Sequence, residues 1–315
     1  MDRSIFSANN NMFSLQQKND ENRQHVKDVL RIMKIQESSM CGRYQQISEQ
    51  VELKAVWRRM LLDWMYCVVE HCGLQRTSVA AAAYFLDVAF HHLVLSRSDH
   101  QLAAATALQL ALKTFDSTII ETDRLVALGR GKFTAEDMFD MELKILQTLE
   151  WRLHPTTCHC FLMQYQRLLP ETMSESSFDW ISQVSEVAAE VTVLDPSYST
   201  FRPSTQAFAA MLVAIEMLDD SDISRQNREY FLLNMNNIVG IDADSESVQE
   251  ACRKLKESLE ESPRMKQLLE ALGDTSQCLL KHCKSVGDLQ TKFKDINLTD
   301  ASPRAVQSAG TESSR

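Results

Sequence analysis

The sequence predicts an all-α protein: two successive sets of five helices behind a leading helix, with polar, disordered ends. Three observations predict it. Glycine (8) and proline (6) are scarce in 315 residues, too few for the turns of a β-rich or α/β chain. Alanine, leucine, methionine and glutamine, which favour helix, are abundant. Apolar residues recur every three or four positions along most of the chain, the period of one helical face.

Residues 1–20 are polar and rich in Asn and Gln, a composition that predicts disorder. Residues 21–50 hold a leading helix and a linker, with Val26, Val29, Leu30 and Met33 at helical spacing. Residues 51–155 form the first set. Val51–Glu70 carries Met60, Leu61, Trp64, Met65 and Val68 on one stripe. Thr77–Phe90 contains AAAAYFL and is apolar nearly all round, so it is buried on most sides. Asp99–Lys113 is alanine-rich, with Asp99 as its expected N-cap. Ile119–Leu128 is short. Thr134–Leu149 opens on a capping threonine and an acidic first turn, and His154-Pro155 ends the set.

Residues 156–272 form the second set: Thr157–Leu168, Phe178–Leu194, Pro203–Leu218, Ser224–Val239 and Asp244–Leu259. Pro203 suits the first helical turn, where its missing N–H costs nothing. Residues 273–315 are expected to be a largely disordered polar tail, and Ser262-Pro263 and Ser302-Pro303 are potential proline-directed phosphorylation sites.

The formal net charge is −10, which disfavours nucleic-acid binding, a task that needs a basic surface. Met1–Asn11 lacks the apolar core of a secretory signal. The longest apolar stretch, Val79–Leu86, is too short to span a bilayer. A nuclear and cytoplasmic protein with free thiols is therefore expected. No enzyme motif survives inspection. Gly129-Arg-Gly-Lys132 lacks the spacing of a phosphate loop. Cys158-His159-Cys160 and Cys278 with His282-Cys283 lack paired halves at zinc-finger spacing, so no metal or other cofactor is expected.

Three segments, in this order and at these separations, resemble the cyclin box. Trp57-Arg-Arg-Met-Leu-Leu-Asp-Trp64 is similar to MRAILVDWL. Gln101-Leu-Ala-Ala-Ala-Thr-Ala, running on to Lys113, is similar to the LQLVG and ASK helix. Met141-Glu142, Leu146 and Leu149-Glu150-Trp151-Arg152-Leu153-His154-Pro155-Thr156, followed by Phe161-Leu162, is similar to the segment from ME to PT and FL. The WRLHPTT stretch most resembles plant D-type cyclins, and Tyr198–Ala210 resembles the third helix of a second cyclin fold. The resemblance covers residues 21–272 and implies two tandem five-helix cyclin folds behind an N-terminal helix.

The resemblance also implies roles. The protein would be a non-catalytic subunit that binds and activates a cyclin-dependent protein kinase in cell-cycle control. Lys113 and Glu142 match a pair that hydrogen-bonds kinase backbone groups around helix αC. Leu110, Leu146, Trp151 and Leu153 match apolar positions beside that pair. Phe115 matches an aromatic position, displaced by one residue, and Asp116 stands where the family shows two glutamates. Arg58 and Asp87 match a structural ion pair, although the arginine that follows in the family is Val88 here. Trp57, Met60, Leu61 and Trp64, with Gln101, match an exposed patch that docks Arg-x-Leu segments of substrates and inhibitors. The acid that holds the arginine is replaced by Cys67, with Glu70 one turn on. The rival readings are a cyclin-fold adaptor in transcription or signalling without kinase activation, and an unrelated helical scaffold.

Overall fold

The computed structural model describes residues 22–40, 52–218 and 222–273. The expected disorder of 1–20 and of the tail, and the Ser302 site, lie outside them. Helix α1 spans 22–40. The first set follows as α2 (Glu52–His71), α3 (Ser78–His92), α4 (Asp99–Phe115), α5 (Thr122–Leu128) and α6 (Ala135–Thr148). The second is α7 (Cys158–Gln166), α8 (Glu175–Leu194), α9 (Pro203–Glu216), α10 (Arg225–Asn234) and α11 (Glu246–Glu261), followed by α12 (Pro263–Gly273). Among the described residues there is no strand, and no helix is long and apolar enough to cross a membrane.

Each set wraps around its third helix. Every residue of α4 from His100 to Leu112 is buried. Alanines 103, 104, 105, 107 and 111 let neighbouring helices approach closely, while Leu102, Leu108, Leu110 and Leu112 fill the spaces between them. In the second set α9 has the same place, with Ala207, Phe208, Ala209, Ala210 and Met211 fully buried. Pro203 occupies its first turn, as its sequence predicts.

Caps agree in part with expectation. Thr134 and Asp137 form a reciprocal capping box at the start of α6. Asp99 does not cap α4. Its carboxylate reaches back to accept hydrogen bonds from the Ser96 N–H and hydroxyl at 3.0 and 2.8 Å. Two elements were not legible in the sequence: the 3-10 turn Pro196–Thr200 and helix α12. Ser262, read as a phosphorylation site, is buried, and its Oγ accepts the Met265 N–H at the start of α12.

The leading helix packs on the second set rather than the first. Val26, Leu30 and Met33 join the core of α7, α8, α9 and α11. Glu37, also buried, accepts hydrogen bonds from the Ser204 N–H and hydroxyl at 2.7 and 2.9 Å. Lys34 donates to the Val239 carbonyl at 2.6 Å, and burial pulls its pKa down.

Two arginines join the sets. Arg58 of α2 holds Asp87 of α3 at 2.7 and 2.8 Å and donates to the Val193 carbonyl at 2.8 Å, at the C-terminal end of α8. Burial opposes its charge, but Asp87 more than offsets this and Arg58 titrates above its ordinary value. Arg76 holds Glu190 of α8 at 2.7 and 2.6 Å and lies over the Tyr66 ring, 4.5 Å from its centroid.

Candidate functional site

Helices α4 and α6 lie side by side in the first set, and this contact brings Lys113 to Glu142. The ammonium donates to both carboxylate oxygens at 2.8 Å. Lys113 is the last-turn residue of α4, where a cation is favoured by the unsatisfied carbonyls. Neither side chain is sealed off: they keep 34% and 16% of their accessible surface. An ammonium has three N–H donors and a carboxylate about four acceptor positions. The pair therefore retains capacity for a second molecule's carbonyl and N–H groups.

The surroundings are apolar and partly unpartnered. Leu110, about one turn before Lys113 on α4, is buried, while Leu146 and Leu153 are half-buried. Trp151 is 64% exposed and Phe115 39% exposed. The Phe115 ring meets His154 edge-on, with centroids 5.5 Å apart. Asp116 turns away, one oxygen accepting the Thr118 N–H at 3.1 Å and the other the Gln75 N–H at 3.3 Å.

Trp151 reaches the surface through a strained turn. Glu150 and Trp151 both have left-handed backbone, with φ of 52° and 62°. Glu150 N–H bonds the Gln147 carbonyl and Trp151 N–H the Leu146 carbonyl, each at 3.0 Å. This is a Schellman ending made without glycine. Left-handed backbone at a non-glycine residue costs on the order of 1–2 kcal/mol. The turn leaves the Trp151 indole 64% exposed just past the C-terminal end of α6, the helix that carries Glu142.

Sequence reasoning missed two residues here. Phe139 and Leu143 of α6 are 56% and 48% exposed and, with Leu146, recur at i, i+4 and i+7. The signal was present. Met138, Met141 and Ile145 already supply the buried stripe of α6, so the second apolar stripe exceeds what the core requires.

The α2 patch departs from expectation. Leu61 and Trp64 are 0% and 1% exposed and Gln101 is also buried, so these three belong to the interior. They face the alanine-rich α3 and α4, whose small side chains draw α2 inward. Only Trp57 and Met60 remain half-exposed. Arg97 lies over the Trp57 ring at 4.9 Å, and His100 is 5.5 Å from it. Arg58 and Asp87 are buried together, as a structural ion pair requires.

The cysteine–histidine run of α7 faces inward. Burial pushes the Cys158 thiol up to about 12 and pulls His159 down to about 4. Cys160 lies against Thr157 and the Pro155 carbonyl. Among the described residues no three His, Cys, Asp or Glu side chains converge to hold a metal ion.

Residues 28–154 match the family described as cyclin, N-terminal domain, and residues 156–284 match cyclin, C-terminal domain. The chain belongs to the cyclin family. It is similar to the G2/mitotic-specific cyclin-B of Hydra viridissima, 24% identical over 200 residues, covering 63% of this cyclin and 49% of that protein. It is similar to cyclin-D3-2 of Arabidopsis thaliana, 27% identical over 224 residues, covering 70% and 58%. The chain thus spans about half the length of these curated relatives. The fold is that of a viral cyclin from herpesvirus saimiri, with a TM-score of 0.59 and 18% identity, covering 76% of this cyclin and 99% of that chain.

Proposed function

We propose that this cyclin binds and activates a cyclin-dependent Ser/Thr protein kinase, as a regulatory subunit that carries out no phosphoryl transfer itself. One observation carries the reading: the Lys113–Glu142 pair, at 2.8 Å, stands partly open to solvent amid exposed apolar side chains. An exposed ion pair contributes little to stability, typically about 0–1 kcal/mol, and exposed clustered aromatics are a cost in water. Both features make sense as an interface. Phe139, Leu143, Phe115 and Trp151 would provide the buried anchors, and the pair would provide the polar register.

Activation then follows from differential binding. The platform favours the kinase conformation with helix αC turned inward, which completes the kinase's own Lys–Glu pair and frees its activation loop. Driving a mostly inactive population to a mostly active one takes roughly 5 kcal/mol of differential affinity. A mostly apolar interface with a few polar anchors can supply that much. Work in cell-cycle control, in nucleus and cytoplasm, and recruitment of substrates through the surface of α2 complete the proposal.

The test is co-purification of the full chain with candidate kinases, followed by a kinase assay. Lys113→Ala with Glu142→Ala is expected to reduce binding and activation at least tenfold. If both survive intact, the site is wrong.

A further inference from the structure

A groove of about 650 Å³ separates α1 from the end of α10. None of its lining residues belongs to the first set, so it shares nothing with the Lys113–Glu142 platform or with the surface of α2. Its α1 wall follows from the helical period. Val26, Leu30 and Met33 face the second core. Lys27, Arg31 and Lys34 each come one residue later, at i, i+4 and i+7, and so form a second stripe about 100° round the helix. The opposite wall is the π-helical turn Met235–Val239, ended by Gly240 in left-handed backbone with φ of 68°.

The groove is basic. Its three cations stand against one acid, Asp28, which accepts the Gln24 side-chain N–H at 3.1 Å. Among the described residues, Lys27, Arg31 and Lys34 have no carboxylate at ion-pair distance. Lys34 is the most confined of them. It is half-buried and spends one N–H on the Val239 carbonyl at 2.6 Å. Glu37, one turn on, commits both oxygens to Ser204. Two ammonium donors of Lys34 therefore remain, and a partly buried charge without a counter-charge is a cost that an arriving anion relieves. Apolar surface lies beside the charge: Ile35 is 64% exposed and Ile238, across the groove, is half-buried. A chain of net charge −10 thus keeps a basic and partly apolar cleft.

We propose that this groove docks an extended acidic segment of a partner protein, with aliphatic residues between its carboxylates. Charge complementarity selects the acids, and Ile35 and Ile238 select a polypeptide over a purely ionic polymer. Successive side chains of an extended chain point to opposite sides. Carboxylates at alternate positions would face Lys27, Arg31 and Lys34, and the aliphatic groups between them would face Ile238. From Lys27 to Lys34 the helix rises about 10 Å, the reach of roughly three extended residues, so a short segment is enough. The binding requires no kinase and is measurable without one.

The experiment is fluorescence anisotropy on the full chain. The probe is a fluorescein-labelled peptide alternating glutamate and leucine. One control has lysine in place of glutamate, and a second has serine in place of leucine. The probe is expected to bind at least tenfold tighter than the lysine control and at least threefold tighter than the serine control. Arg31→Glu is expected to weaken it at least tenfold and Ile35→Ser at least threefold, both at exposed positions and with unchanged far-UV circular dichroism. Lys266→Glu, an equal change of charge at an exposed position of α12, should alter it less than twofold. No binding, or equal binding of the probe and either control, would overturn the proposal. So would binding that Arg31→Glu or Ile35→Ser leaves intact, or that Lys266→Glu weakens as much as Arg31→Glu does, the mark of diffuse attraction.

Discussion

Arg58–Asp87 and Lys113–Glu142 look alike on paper. Each is a cation and a carboxylate 29 residues apart, joining two helices of the same set. Their settings differ, most of all at the cation. Arg58 and Asp87 keep 10% and 11% of their side-chain surface, whereas Lys113 keeps 34% and Glu142 16%. The first pair uses a forked guanidinium to satisfy both oxygens and still reach the α8 carbonyls. The second uses a point charge on a side chain that stays one-third exposed, with a third N–H beyond the two bonds to Glu142. The same chemistry at the same separation serves packing in one place and a surface in the other. Only burial and the remaining hydrogen-bond capacity separate the two.

The contrast is tested most strongly at Asp87. Asp87→Ala leaves the Arg58 charge buried without its partner, which is expected to cost about 3–5 kcal/mol in urea unfolding. A loss below ~1 kcal/mol would put the pair in the same class as Lys113–Glu142.

Next is His159, a buried group with no compensating charge pair of its own. Its folded pKa is about 4 against an ordinary 6.5, because burial disfavours the imidazolium. Between those values the unfolded chain binds a proton that the folded chain refuses. Stability is therefore full above pH 6.5 and falls as pH drops towards 4, by about 3 kcal/mol. His159→Leu is expected to remove that part of the pH dependence, read from urea midpoints at several pH values.

Glu190→Gln probes an intermediate setting, since Arg76 is half-buried and also has Glu70. A loss of about 1–3 kcal/mol is expected by calorimetry. The smallest effect on stability belongs to Lys113→Ala with Glu142→Ala, within ~1 kcal/mol, although its kinase binding should fall at least tenfold. A melting shift as large as that of Asp87→Ala would make this pair structural too.

Local pattern and spacing determined much of this protein. Scarce glycine and the three-and-four period of apolar residues were enough for the all-α class and two sets of helices. Alanines in Asp99–Lys113 marked the central helix of the first set, and motif order pointed to Lys113 and Glu142. These are properties of neighbouring residues or of helix periodicity, which a linear string records directly. Helix α12 escaped notice because Ser262-Pro263 reads equally well as a modification site and as a cap followed by a first-turn proline.

Contacts between distant segments were decided only in three dimensions. The placing of α1 on the second core, the burial of Leu61, Trp64 and Gln101, and the exposure of Phe139 and Leu143 all depend on which helices pack against a given face. An amphipathic stripe says that a face is apolar. It does not say whether that face meets its own chain or another, because burial is a property of the assembled neighbours rather than of the residue.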